Sequence, residues 1–124
     1  MCSSDLIGFG LMLFAGAKLV PGSELVSTWL DLPRRIQAAD VVLTGEGRFD
    51  RSSLEGKGPA ALVNGALAAG KKVHVFAGSV EPGLKIPEGL SIRGLSPSGL
   101  PLEKALPQTG ERLAQAVRQM SQSA

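Results

Sequence analysis

The sequence predicts an α/β fold in which helices flank a parallel sheet, and three observations carry the prediction. Val41-Val42-Leu43-Thr44 runs apolar and then breaks into the glycines and charges of Gly45-Glu46-Gly47-Arg48-Phe49-Asp50. That is the pattern of a buried parallel strand delivering a polar loop to the edge of its sheet. Val73 to Ala77 repeats it, ending at Gly78-Ser79, with an Ala-rich helical stretch between the two runs. Strand, helix and strand within about forty residues make a βαβ unit. Finally, the 44% hydrophobic share leans on Ala, Leu, Val and Gly, while aromatics are 4% and Tyr is absent. Small and branched residues suit helices packed on a parallel sheet.

Taken in order, residues 1–6 carry no pattern. From Ile7 to Leu19 the apolar residues recur at helical spacing with no polar opposite face, which predicts a helix buried nearly all round. Pro21-Gly22 ends it. Ser23 is then placed to cap a second helix, Glu24 to Leu30, with Leu25, Val26 and Trp29 as its apolar face. Trp29 reads most simply as a core or interface anchor. Asp31 and Pro33 mark the start of a short helix through Ala38. After the strand from Val41 to Thr44 and its loop, Pro59 and Gly70 bracket the helix Ala60 to Ala69. Pro82 to Gly89 is a turn-rich connection to a third strand, Ser91 to Leu95, which leads Ser96-Pro97-Ser98-Gly99 to the same sheet edge. Pro101 opens a brief helix, and a last helix carries the seam Leu106, Gly110, Leu113, Val117 and Met120.

The 124 residues are one domain's worth, and thirteen basic residues against eleven acidic ones give a net charge of only +2. The charges are scattered, and few aromatics are present to stack bases, so no nucleic-acid partner is expected. Cys2 is the single cysteine, which excludes an intrachain disulfide and a thiolate metal cluster. The apolar run before Lys18 falls short of the roughly 20 residues a membrane span needs. No membrane partner is expected, and a soluble cytoplasmic protein is.

Between Gly45 and Lys57 lie glycines, Glu46, Asp50, Arg48, Arg51, Ser52, Ser53 and Lys57. A dinucleotide fingerprint would need glycine where Asp50 stands. A P-loop would need glycine at Arg51 and a hydroxyl at Gly58, so both templates fail. Gly45 and Gly47 still allow close backbone approach to an anion. Glu46 and Asp50 could hold Mg²⁺ or accept a proton from a hydroxyl. Arg48 and Lys57 could meet phosphate or carboxylate oxygens. The alternative is a solvated turn whose charges pair with one another. Ser79 could donate to an oxyanion or cap a turn. His74, alone between Val73 and Val75, reads as a partly buried strand residue.

The run A-D-V-V-L-T-G-E-G-R-F-D-R-S-S-L-E-G-K, from Ala39 to Lys57, resembles the signature segment of the glycerate kinase family, which acts on glycerate with ATP. Lys71 to Ser79 resembles the family's following strand and A-G-S turn, Leu95 to Ala105 its last strand and helix, and Ile7 to Pro21 the helix before the signature. The resemblance implies a Rossmann-like, three-layer parallel sheet, of which residues 7–124 would be the C-terminal part of a larger two-domain fold. It implies transfer of the γ-phosphoryl group of ATP to a hydroxyl of glycerate, with Mg²⁺. Asp50 would face the substrate hydroxyl, and Glu46 would organise metal or substrate. Gly45, Gly47, Arg48, Ser53, Lys57, Gly78 and Ser79 would bind substrate or phosphate.

The family's N-terminal D-S-F-K-G segment has no counterpart in these residues, and Met1 to Leu6 stand where a glycine-rich run is expected. A truncated or misjoined reading frame is therefore expected, with the chain inactive by itself. The rival expectation is a non-catalytic α/β binding or assembly module. Either way, the helix from Ile7 and at least one sheet edge should be uncovered, and the chain should associate with itself.

Overall fold

The computed structural model describes residues 3–55, 59–97 and 99–122. Three helices, α1 (Ser3–Ala15), α2 (Gly22–Trp29) and α3 (Leu32–Ala38), lead into strand β1 (Val41–Phe49). A 3-10 turn, Arg51–Leu54, precedes α4 (Pro59–Ala68) and β2 (Lys72–Val80). Strand β3 (Leu90–Gly94), α5 (Leu102–Ala105), a 3-10 turn and α6 (Thr109–Ser121) complete the order.

The strands form one open sheet in the order β1-β2-β3, parallel throughout, with helices flanking it. Val42 pairs with Val73 and Thr44 with Val75, while Val73 pairs with Leu90 and Val75 with Ile92. The apolar halves of all three strands thus meet at one level. Val63 and Ala66 of α4 and Ile36 of α3 close on them, together with Phe49 and Ala77, to make the core. Lys71 donates to the Gln37 carbonyl at 2.8 Å, fastening the end of α3 beside the start of β2.

The return from β2 to β3 contains no helix. Nine residues, 81–89, run back along the sheet, enough for the roughly 23 Å between strand end and strand start only if largely extended. Gly89 completes that return with φ 83°, where a Cβ would also stand 3.1 Å from Leu67 Cδ2. Glycine alone meets both demands cheaply.

Several expectations change. Helix α1 is not buried: Ile7, Phe9, Leu13 and Phe14 are exposed, Phe14 to 87%, because no described element covers it. The uncovered apolar helix expected from its sequence is therefore present. Trp29 is 74% exposed and α2 buries no residue, so Trp29 anchors nothing in the described residues. Pro21, not Ser23, takes the N-cap of α2. Asp31 does precede α3, but in a left-handed conformation and without a side-chain capping bond. No helix among the described residues is long and apolar enough to cross a membrane.

Candidate functional site

The largest correction concerns β1, which does not end at Thr44. It continues through Gly45, Glu46, Gly47 and Arg48 to Phe49, paired in register with β2, Glu46 beside Ala77 and Arg48 beside Ser79. The expected glycine loop is a strand extension. Two facts allow it. Gly47 and Gly78 carry no side chains where the two backbones press together: a Cβ on Gly78 would lie 2.5 Å from the Gly47 carbonyl oxygen. Strand alternation then puts Thr44, Glu46 and Arg48 on the face that carries Val42, where Thr44 and Glu46 are half-buried and Arg48 reaches solvent.

This end of β1 borders a cleft of about 980 Å³ at the carboxyl ends of the three strands, where open α/β sheets collect ligands. Its polar wall comprises Gly45, Glu46, Gly47 and Arg48 from β1, with Gly78 and Ser79 from β2. Leu95, Ser96, Pro97 and Gly99 reach the same cleft, as expected of the third loop. The opposite wall is apolar, made by Leu102, Leu106, Leu113 and Val117. Sequence reading took the last three as an ordinary packing seam. The structure separates the two readings, since Leu106 and Leu113 remain exposed and so face open space rather than core. A second groove, about 850 Å³ between α2, α3 and α4, has no ionisable residue in its wall.

Within the cleft, Glu46 carries the unusual group. Its Oε2 is buried and has no hydrogen-bond partner among the described residues. A buried carboxylate oxygen left unpaired costs on the order of 1–3 kcal/mol or more, so native chains seldom keep one without use. A hydroxyl, an amide or a cation entering the cleft would satisfy it.

Asp50 and Ser53 do not line this cleft; they build the turn that follows β1. Asp50 Oδ1 accepts from the Ser52 hydroxyl at 2.7 Å and from the Ser52 amide at 2.9 Å. The Ser53 hydroxyl accepts from the Asp50 amide at 3.1 Å and donates to the Arg48 carbonyl at 3.4 Å, a reciprocal capping box. The Ser52 hydroxyl, then backbone amides and the Arg48 guanidinium, hold the Asp50 carboxyl below its usual range. Arg48 Nε lies 3.7 Å from Asp50 Oδ2, a loose pair with the Arg48 side chain 70% exposed. Arg48 therefore keeps most of its fork for the cleft.

A shared Mg²⁺ site for Glu46 and Asp50 does not fit this geometry. Four residues of extended chain separate their Cα atoms by about 13 Å, and among the described residues no group of three or more metal-ligating side chains gathers. Either carboxylate could instead serve alone beside phosphate oxygens, the usual Mg²⁺ arrangement. Lys57, also expected at the site, lies outside the described residues. His74 is half-buried in β2, as its place in the strand implied.

Comparison with known proteins fits this architecture. The sequence profile of the glycerate kinase family matches residues 6–124. A glycerate kinase of Halalkalibacterium halodurans is 35% identical over 118 residues, 93% of this chain and 31% of that protein. The glycerate 2-kinase of Escherichia coli K12 is 43% identical over 74 residues, 60% of this chain and 19% of that one. A crystal structure assigned to glycerate kinase 2 of Salmonella typhimurium LT2 superposes with a TM-score of 0.57 at 32% identity, covering 93% of this chain and 31% of its own. The chain thus spans between 19% and 31% of the length of these relatives. With the family profile matched across residues 6–124 on a parallel sheet of the same kind, the chain belongs to the glycerate kinase family.

Proposed function

We propose that the cleft is part of a phosphoryl-transfer site that uses ATP to phosphorylate a hydroxyl of glycerate. The observation that carries the reading is the unpartnered, buried Glu46 Oε2, set beside Arg48 and Ser79 at the carboxyl ends of parallel strands. Phosphoryl transfer asks a protein mainly for positioning and charge neutralisation.

In this reading the glycerate hydroxyl oxygen bonds to the γ-phosphorus as the bond to the β,γ-bridging oxygen breaks, and the hydroxyl proton passes to a carboxylate. Glu46 organises the hydroxyl or a single cation through its free oxygen. Arg48 presents two parallel N–H groups to a phosphate or carboxylate. Ser79 donates to an oxyanion, and Gly45, Gly47 and Gly78 leave the backbone open to close approach. Asp50, kept ionised by Ser52 in the turn beyond the cleft, would meet the hydroxyl of a substrate that extends past Arg48 and takes over their loose contact. Ser53 acts through the turn it builds, and Lys57 is assigned to phosphate. Mg²⁺, when bound, would neutralise phosphate charge. ATP as donor sets the reaction in the cytoplasm.

Titration of the isotope-labelled chain with Mg²⁺-ATP and with glycerate tests the reading. Amide shifts at Gly45 to Arg48 and at Ser79 are expected with both ligands, without sustained ADP formation in a coupled assay of this chain alone. Absence of any shift at these residues with either ligand would sink it and leave the non-catalytic module.

A further inference from the structure

A second cavity lies behind the rim of the cleft, between β3 and α6. It has a volume of about 460 Å³, and Arg93, Arg112, Ser96, Gln115 and Gln119 stand in its wall. Arg93 Nη1 donates to the Ala116 carbonyl at 3.1 Å and to Gln119 Oε1 at 3.0 Å. Arg112 Nη1 donates to the Leu95 carbonyl at 3.2 Å, and its Nη2 donates to Gln108 Oε1 at 2.5 Å. Arg93 thus grips α6 at Ala116 and Gln119 while Arg112 reaches back one turn to Gln108, and both side chains border the one cavity.

Every one of these acceptors is neutral, and among the described residues neither arginine has a carboxylate partner. The bonds clamp both side chains without cancelling their charge. A guanidinium has five N–H donors in a fixed fork, and those named here leave Nε and Nη2 of Arg93 and Nε of Arg112 unused. Two permanent cations bordering one pocket, with no carboxylate between them among the described residues, favour an anion there. A simple clamp of helix to strand would not require both to be arginine.

We infer that Arg93 and Arg112 form an anion site, separate from the Glu46 cleft, that takes a small phosphate monoester or free phosphate. A tetrahedral phosphate offers three terminal oxygens and can accept from two forks at once, whereas a planar carboxylate is filled by one. The volume is at the small end for ligand cavities and suits a phosphorylated metabolite of a few carbons better than a nucleotide. Leu95, Ser96 and Pro97 line both cavities, so the anion would sit back to back with the cleft across this one segment.

Inorganic phosphate, methyl phosphate and acetate are titrated at constant ionic strength into the labelled chain, with amide shifts followed at Arg93 to Ser96 and Gln115 to Gln119. The two phosphates should shift these residues at concentrations at least tenfold below acetate, and tighter binding of methyl phosphate than of phosphate would mark the ester as the ligand. R93Q and R112Q should each weaken phosphate binding tenfold or more, R93K and R112K less, and R34Q, an exposed arginine of α3 that lines neither cavity, not at all. If a glutamine variant fails to fold, the wild-type shift map decides alone. Shifts confined to Gly45 to Ser79, equal response to acetate, or undiminished binding in folded R93Q would overturn the proposal.

Discussion

Gly78 and Gly47 face each other across β1 and β2 so closely that a single methyl group on Gly78 would reach 2.5 Å from the Gly47 carbonyl oxygen. The clash is with backbone, which cannot swing aside as a side chain can. Gly78→Ala is therefore expected to cost about 1–3 kcal/mol and to shift β1 relative to β2. Gly47→Ala meets open space and should cost much less. Urea unfolding of both variants checks the asymmetry; equal losses would show that β1 and β2 separate readily at this level.

Glu46 sets stability against binding. Replacing it by leucine removes a buried oxygen that has no partner, so the unliganded chain should gain about 1 kcal/mol or more while losing response to glycerate and Mg²⁺-ATP. Melting curves with and without ligand measure both effects. A destabilised Glu46→Leu chain would mean that the carboxylate has a structural partner.

The capping box behind Arg48 gives a pH signature. Asp50 has its folded pKa below the ordinary aspartate value of about 3.9. Its contribution to stability is complete above that value and is lost as pH falls through the lower, folded one. Asp50→Asn should flatten the acid limb of the stability curve below about pH 4 and leave the neutral region without slope. Ser53→Ala, which removes the acceptor of the Asp50 amide, should cost about 1 kcal/mol at neutral pH.

Helix α1 predicts self-association. Ile7, Leu11 and Phe14 fall on one side of it, exposed by 67%, 52% and 87%. Burying such side chains is worth roughly 1.5–3 kcal/mol each. Sedimentation should find species above 12.8 kDa at moderate concentration, shifted toward monomer by combining Ile7→Ser with Phe14→Ser. Trp29, the one tryptophan, should emit as a solvated indole when the chain is dilute.

The order of the helices and strands was legible, and the start of every strand to within one residue, because Val41 to Leu43 and Val73 to Ala77 are apolar where the sheet is covered. The end of β1 was not. Glycine and charge within a strand read as a loop when only one chain segment is considered. Pairing with Gly78 and Ser79, thirty residues away, is what keeps Gly45 to Phe49 extended. Glu46 and Arg48 were found by their chemistry alone, whereas the apolar wall of α5 and α6 was hidden in a pattern that also describes core packing. Asp50 and Ser53 were expected at the site and stand instead in the turn beyond it; that separation follows from strand rise, which sequence shows only once the strand is known. The helix at Ile7 was read as needing neighbours; its exposure says that the described residues do not supply them.

Carrying Glu46 and Arg48 on a paired strand rather than a loop also limits how such a site can diversify. Loops change specificity by growing, shrinking or being exchanged, with little effect on the scaffold beneath. Here the insertion of one residue between Thr44 and Arg48 would turn the residues beyond it to the opposite face of the sheet. New preferences must then arise by replacing side chains in place, on β1 or on the leucine wall of α5 and α6.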